Sequence, residues 1–182
     1  GRSLFVDCGA FDGCSVVMFL LSHPHCDCVS FEPNPELWPY FADLPTTLNR
    51  AAAYVYDGEI SFTIDPVDAD GSSLVLGKRI DFHRKVHDPD CPIAHVPCVD
   101  ISNYIARARS VYDEIILKLD VEGAEYDILE KMTVDGTIHM VSKIYCEFHG
   151  SKISPSDARL REIQECVEGL VAVTGWDAMP FS

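Results

Sequence analysis

Apolar runs that end in an acid recur along this chain, separated by stretches with helical spacing. The first, Leu4-Phe5-Val6-Asp7, leads into a turn holding Gly9 and Gly13, and the run Ser15 to Leu21 then predicts an amphipathic helix. Cys28 to Glu32 reads as a second strand, with Pro33 and Asn34 as a turn and Pro35 opening a short helix to about Phe41 that Pro39 limits. A third β segment is expected near Thr46-Thr47-Leu48. Ala52 to Tyr56, Asp57-Gly58 and Glu59 to Ile64 give the clearest hairpin signal.

Residues 65–73 read as loop, and Leu74 to Pro97 is charged, rich in His and broken by Pro89 and Pro92. Within it, 77–95 is taken as a lid or acceptor-binding insertion. Val96 to Val99 predicts a short strand, and Asp100 suits the N-cap of a helix to about Arg109. Ile115 to Asp120 is a strongly apolar strand ending in an acid. Gly123 and Ala124 lead into a helix whose Ile128, Leu129 and Met132 share one face. Val141 to Phe148 is a further strand, Ser156 to Val167 an amphipathic helix, and Leu170 to Thr174 a last strand.

Strands alternating with helices imply an α/β fold with a mostly parallel sheet, right-handed crossovers and helices on both faces. One domain over 1–182 is expected. Ligands bind such sheets at the carboxyl ends of the strands, and Asp7, Glu32, Asp120 and Glu147 all fall there.

Composition narrows the chemistry. The net charge of −15 repels phosphate backbones, which argues against nucleic acid as a partner. No apolar run has the length of a membrane span, and the first residues read as a strand, not a leader. The eight cysteines are irregularly spaced, with Cys8 and Cys146 inside strands, so they are read as reduced and the protein as cytoplasmic.

The loop Gly9-Ala10-Phe11-Asp12-Gly13 lets backbone approach a ligand closely. Glu32, at the tip of the neighbouring strand, is placed to accept the two ribose hydroxyls of an adenine nucleoside. Asp12 is poor company for a pyrophosphate and suits a cationic ligand, which favours S-adenosylmethionine over a dinucleotide. The plainer reading makes Asp7 a turn former and the two glycines turn glycines.

Three blocks in this order, Val6-Asp7-Cys8-Gly9-Ala10-Phe11-Asp12-Gly13, Phe31-Glu32-Pro33-Asn34-Pro35 and Leu117-Lys118-Leu119-Asp120-Val121-Glu122-Gly123-Ala124-Glu125, resemble the FkbM-type S-adenosylmethionine-dependent methyltransferases. Ala52 before Asp57-Gly58, the stretch Val96 to Tyr104, and Tyr145-Cys146-Glu147-Phe148-His149 agree as well. The resemblance implies a Rossmann-like class I methyltransferase fold, with an incomplete C-terminal edge strand here. It also implies O-methylation of a hydroxyl on a sugar or other small-molecule acceptor. Cofactor binding is expected at Asp7, Gly9, Ala10, Phe11, Gly13 and Glu32, with Asn49 and Ala51 near the adenine and Asp120 facing the methyl group.

A hydroxyl acceptor benefits from a base, and Asp120 is the first candidate, with Glu147 and His149 behind it. Glu122 and Glu125 either orient Asp120, bind the acceptor or cap the following helix. Other outcomes of the same fold are N- or carboxyl methylation, or a non-catalytic domain that binds S-adenosylmethionine or a partner. No metal is assigned. The groups His23, His25, Cys26, Cys28 and His83, His87, Cys91, His95 lack the spacing of a closed zinc site, and no second and third acid accompany Asp120 at the spacing of catechol-type metal sites.

Overall fold

In a computed structural model describing residues 1–63, 93–149 and 157–176, nine strands and four α-helices follow the chain. They are β1 (Ser3–Cys8), α1 (Cys14–Ser22), β2 (Asp27–Phe31), β3 (Thr47–Asn49), β4 (Ala52–Tyr54), β5 (Gly58–Thr63), β6 (Ile93–Asp100), α2 (Ile101–Ala108), β7 (Glu114–Leu119), α3 (Glu125–Asp135), β8 (Lys143–Cys146), α4 (Ala158–Leu170) and β9 (Val173–Gly175).

Six strands form one sheet in the order β3-β2-β1-β7-β8-β9, every pairing parallel. The parallel α/β architecture expected from the acid-tipped strands is therefore present. Its strands are continuous apolar runs because both faces are covered. Leu4, Val6, Cys8, Leu117 and Leu119 face the core beneath α2 and α3, whereas Phe5 and Ile116 face α1 through Val16 and Phe19. By the two-residue period of a strand, Asp7 and Lys118 lie on the α1 side as register partners on adjacent strands. Ile128, Leu129 and Met132 of α3 are buried, as their spacing requires. Asp100 caps α2 by accepting the Asn103 N–H at 3.0 Å.

The hairpin expected across Asp57-Gly58 does not form. β4 and β5 belong to a second sheet of order β4-β6-β5, in which β6 is inserted between them, parallel to β4 and antiparallel to β5. The Asp57 carboxylate, instead of closing a tight turn, accepts the Asp100 N–H at the end of β6 at 2.9 Å. β6 is also longer than the four residues read as strand. Pro97 is tolerated in it because β4 pairs only with Cys98 to Asp100, leaving one strand partner beside the proline. The segment from Pro35 supplies a 3-10 turn, Trp38–Phe41, in place of a longer helix.

Most of 77–95, together with His83, His87 and Cys91, lies outside the described residues. All seven described cysteines are free, with Cys8 and Cys146 buried. Among the described residues no helix is long and apolar enough to cross a membrane.

Candidate active site

The glycine turn after β1 is pinned to the tip of β2. Gly9 and Ala10 both donate their N–H to the Phe31 carbonyl at 3.1 Å. Gly9, Phe11 and Gly13 all have positive φ, at 75°, 51° and 81°. At Gly9 the need for glycine is steric as well, since a Cβ would collide with the Asp120 carbonyl oxygen. Asp12 accepts the Cys14 N–H at 2.9 Å, so it starts α1 as well as lining the loop.

Glu32 sits just past β2, buried, with both carboxylate oxygens in use. Oε2 accepts the Phe11 N–H at 2.9 Å and Oε1 the Asn34 N–H at 2.7 Å. Its own N–H donates to the Asn49 carbonyl at 3.1 Å, which joins this residue to the end of β3, and Ala51, two residues further on, is buried. Burial pushes the Glu32 carboxyl up to about 7, against the opposing pull of the Asn34 and Phe11 N–H groups and of Lys118. Asn34 is 1% exposed and, among the described residues, its Nδ2 has no hydrogen-bond partner.

Asp7 is fully buried. Its Oδ2 accepts the Ser15 hydroxyl of α1, and its Oδ1 lies 3.0 Å from Lys118 Nζ. Lys118 also donates to the Gly9 carbonyl at 2.8 Å, stands 3.9 Å from Asp120 Oδ2, and faces the Trp176 ring at 5.3 Å. Burial opposes its charge, but Asp7 and Asp120 outweigh that and raise its pKa. Sequence reading gave Lys118 no role. The available signal was a charge inside an apolar strand, which demands a partner.

Asp120, Glu147 and His149 come together, as strand-end reasoning expected, and they bring Glu122 and Glu125 with them. His149 is buried. Its Nδ1 pairs with Glu125 Oε1, and the other oxygen of Glu125 accepts the Gly123 N–H at 2.6 Å. His149 Nε2 lies 3.3 Å from Glu122 Oε2, 3.3 Å from Glu147 Oε1 and 3.9 Å from Asp120 Oδ1. Burial disfavours the imidazolium, yet the Glu125 and Glu147 carboxylates reverse that and push His149 up to about 9. Asp120 is raised above the usual carboxylate range, first by burial, with Lys118 opposing.

Side-chain exposure grades the group from 0% at His149 through 15% at Glu122 and 20% at Asp120 to 38% at Glu147. Glu122 has a left-handed backbone, φ 57°, in the turn that carries both it and Asp120. The cluster adjoins the glycine loop directly: Asp120 N donates to the Cys8 carbonyl at 3.1 Å, and Lys118 spans Asp7 and Asp120. By contrast, His23, His25, Cys26 and Cys28 do not gather as a site. His23 stacks on Phe19, and Cys28 is buried in the core.

A tight glycine loop beside a buried carboxylate, adjoining a rim of acids at the tips of parallel strands, suits a nucleoside ligand that carries positive charge. No curated protein and no solved structure matches the chain. The family model of the methyltransferase FkbM domain does, over residues 7–168, and the chain therefore belongs to the FkbM family of S-adenosylmethionine-dependent methyltransferases.

Proposed function

We propose that this protein methylates a hydroxyl group on a sugar or other small-molecule acceptor. The observation that carries the reading is the adjacency of the glycine loop and the Asp120–Glu147–His149 cluster, tied through Lys118 and the Gly9–Asp120 backbone contact.

The residues fit the cofactor that the family uses. Buried Asn34 Nδ2 offers an unused donor beside Glu32, and the loop at Gly9, Ala10, Phe11 and Gly13 exposes no large side chain except Phe11. Glu32 takes the ribose hydroxyls in this reading, with Asn49 and Ala51 lining the adenine side. Asp7 contributes indirectly, by holding Ser15 and Lys118 against the loop. S-adenosylmethionine supplies a methyl group already activated by its sulfonium.

The protein's task is then alignment, with the acceptor oxygen held about 3 Å from the methyl carbon. Asp120 takes the acceptor proton. Burial makes its carboxylate more basic than a free one, which moves it toward the range useful near neutrality. Glu147, the most exposed of the cluster, meets the acceptor. His149 is enclosed and acts as a positioning residue for the carboxylates around it. The net charge of −15 supports a small, non-phosphorylated acceptor, and the free thiols support a reducing compartment such as the cytoplasm.

The test is mass spectrometry of a panel of sugar and natural-product alcohols incubated with the protein and S-adenosylmethionine, with amines and carboxylic acids as comparison arms. A single-methyl gain on an alcohol is expected. A gain confined to amines or acids, or none on any acceptor despite calorimetric binding of the cofactor, rejects the reading.

A further inference from the structure

We propose that Asp120, Glu122 and His149, with Glu147 beside them, bind a divalent cation of the manganese–zinc type. One ligand atom from each of the first three lies within 4.8 Å of the other two. The separations from His149 Nε2 to Glu122 and Glu147, 3.3 Å each, match the edges of a coordination shell, and Asp120 at 3.9 Å stands just outside that spacing. Bonds of about 2.0–2.2 Å give ligand–ligand edges of about 2.8–3.1 Å in an octahedron and about 3.3–3.6 Å in a tetrahedron.

The imidazole carries the point beyond a mere gathering of acids. His149 is 1% exposed, and among the described residues its Nε2 has no hydrogen-bond partner although carboxylate oxygens stand on several sides. The nitrogen faces the Glu122, Glu147 and Asp120 oxygens at 3.3, 3.3 and 3.9 Å, and a cation entering among them displaces the proton that the carboxylates favour there. Its other nitrogen is fixed by Glu125, itself fully buried and fixed by the Gly123 N–H. A carboxylate on Nδ1 with Nε2 presented to a cluster of oxygens is how proteins orient a metal-ligating histidine. One imidazole among carboxylates suits Mn²⁺ or Zn²⁺ better than Mg²⁺, which keeps its waters and favours oxygen alone.

What the ion does there rests on the hydroxyl-methylation reading: it would lie beside the acceptor oxygen and stabilise the negative charge that grows as the proton leaves. Its presence does not depend on that reading. The protein, stripped with chelator and dialysed, is titrated with Mn²⁺ by electron paramagnetic resonance, and with Zn²⁺ and Mg²⁺ by calorimetry. Saturable Mn²⁺ or Zn²⁺ binding at one site is expected, with Mg²⁺ weaker.

Glu122→Gln weakens it by more than about tenfold, and Glu125→Gln, which removes no ligand atom, by about 10–100-fold. Absence of saturable binding, or affinity unchanged in both Glu122→Gln and His149→Gln, overturns the proposal and leaves His149 as the centre of an ion-pair cluster. Glu122 lies in a turn and is partly exposed, so its variant still reports if His149→Gln fails to fold. S-adenosylmethionine binding is measured separately on the metal-free protein. Metal binding without cofactor binding or turnover sinks the methylation reading and spares the cation site, and cofactor binding and turnover without metal binding does the reverse.

Discussion

Lys118 Nζ lies 3.0 Å from Asp7 Oδ1, and the two residues are register partners on the central strands β7 and β1, buried from solvent. The pair stands beneath the glycine loop, and the same ammonium donates to the Gly9 carbonyl. Taking two charges out of water is costly, and what repays it here is a set of close partners on Lys118 and the Ser15 hydroxyl on Asp7. Lys118→Met is therefore expected to destabilise the fold by about 3–5 kcal/mol, because it leaves Asp7 uncompensated. The double variant Asp7→Asn with Lys118→Met recovers a large part of that loss. Urea denaturation of the two variants checks this, and a single variant no less stable than the double one contradicts it.

A comparison of two positive-φ glycines, Gly9 and Gly136, separates backbone strain from crowding. Gly136 ends α3 with φ 76°, and nothing lies within 4 Å of a Cβ built there. Gly136→Ala should cost only the left-handed backbone penalty, about 1–2 kcal/mol, and leave cofactor affinity unchanged. Gly9 has nearly the same φ, but its Cβ meets the Asp120 carbonyl, so Gly9→Ala must also push the loop away from β7. The expectation is a larger loss of stability together with loss of S-adenosylmethionine binding, read by thermal melts and calorimetry. Equal melting shifts for the two variants would contradict it.

The parallel sheet was legible because strands buried on both faces leave unbroken apolar runs, as in Ile115 to Leu119 and Leu4 to Val6. Their acidic tips told which edge carries chemistry, and Asp120, Glu147 and His149 do converge there. The second sheet was not legible. Asp57-Gly58 is a strong local turn signal, yet β4 and β5 each pair with β6, about forty residues along the chain, and no local pattern encodes such a partner. The pairing of His149 with Glu125 was hidden for a similar reason, since it joins the start of α3 to the segment after β8. Lys118 was readable as an oddity, a cation among Leu117 and Leu119, but naming Asp7 as its partner requires the register.

Glu32 should make stability and cofactor binding respond to pH in opposite senses. Its folded-state pKa of about 7 lies above the ordinary 4.5, so between these values the folded protein holds the proton more tightly than the unfolded chain. That contribution is fully present below about pH 4.5 and is lost as pH rises through about 7, a change of at most roughly 3 kcal/mol. Glu32→Gln lacks the ionisation, so the stability of wild type relative to this variant should fall over the same window in urea titrations. Ribose hydroxyls donate to the charged carboxylate, so S-adenosylmethionine affinity should rise through about pH 7, and Glu32→Ala should weaken binding severely. Parallel stability curves for wild type and Glu32→Gln would remove the basis for both statements.

Asp120 and Glu147 share one rim but differ in surroundings, and their kinetics should differ accordingly. Asp120 is the more enclosed, stands 3.9 Å from Lys118 and 3.9 Å from His149, and has its carboxyl raised by burial. Asp120→Asn keeps the shape and removes the proton acceptor together with one carboxylate of the proposed cation site, so kcat should fall about 10²–10⁴-fold even with the cation saturating. S-adenosylmethionine affinity should change little, because the glycine loop is held by Phe31, Glu32 and Lys118, none of which is altered. Glu147→Gln should act mainly on the acceptor, raising its KM, with a smaller loss in kcat, because this side chain is the most open to incoming ligand. Steady-state kinetics with saturating Mn²⁺, on whichever alcohol gains the methyl group, provide the comparison. A kcat for Asp120→Asn within a few fold of wild type would transfer the base role to another group, and Glu147 would then be the one to test.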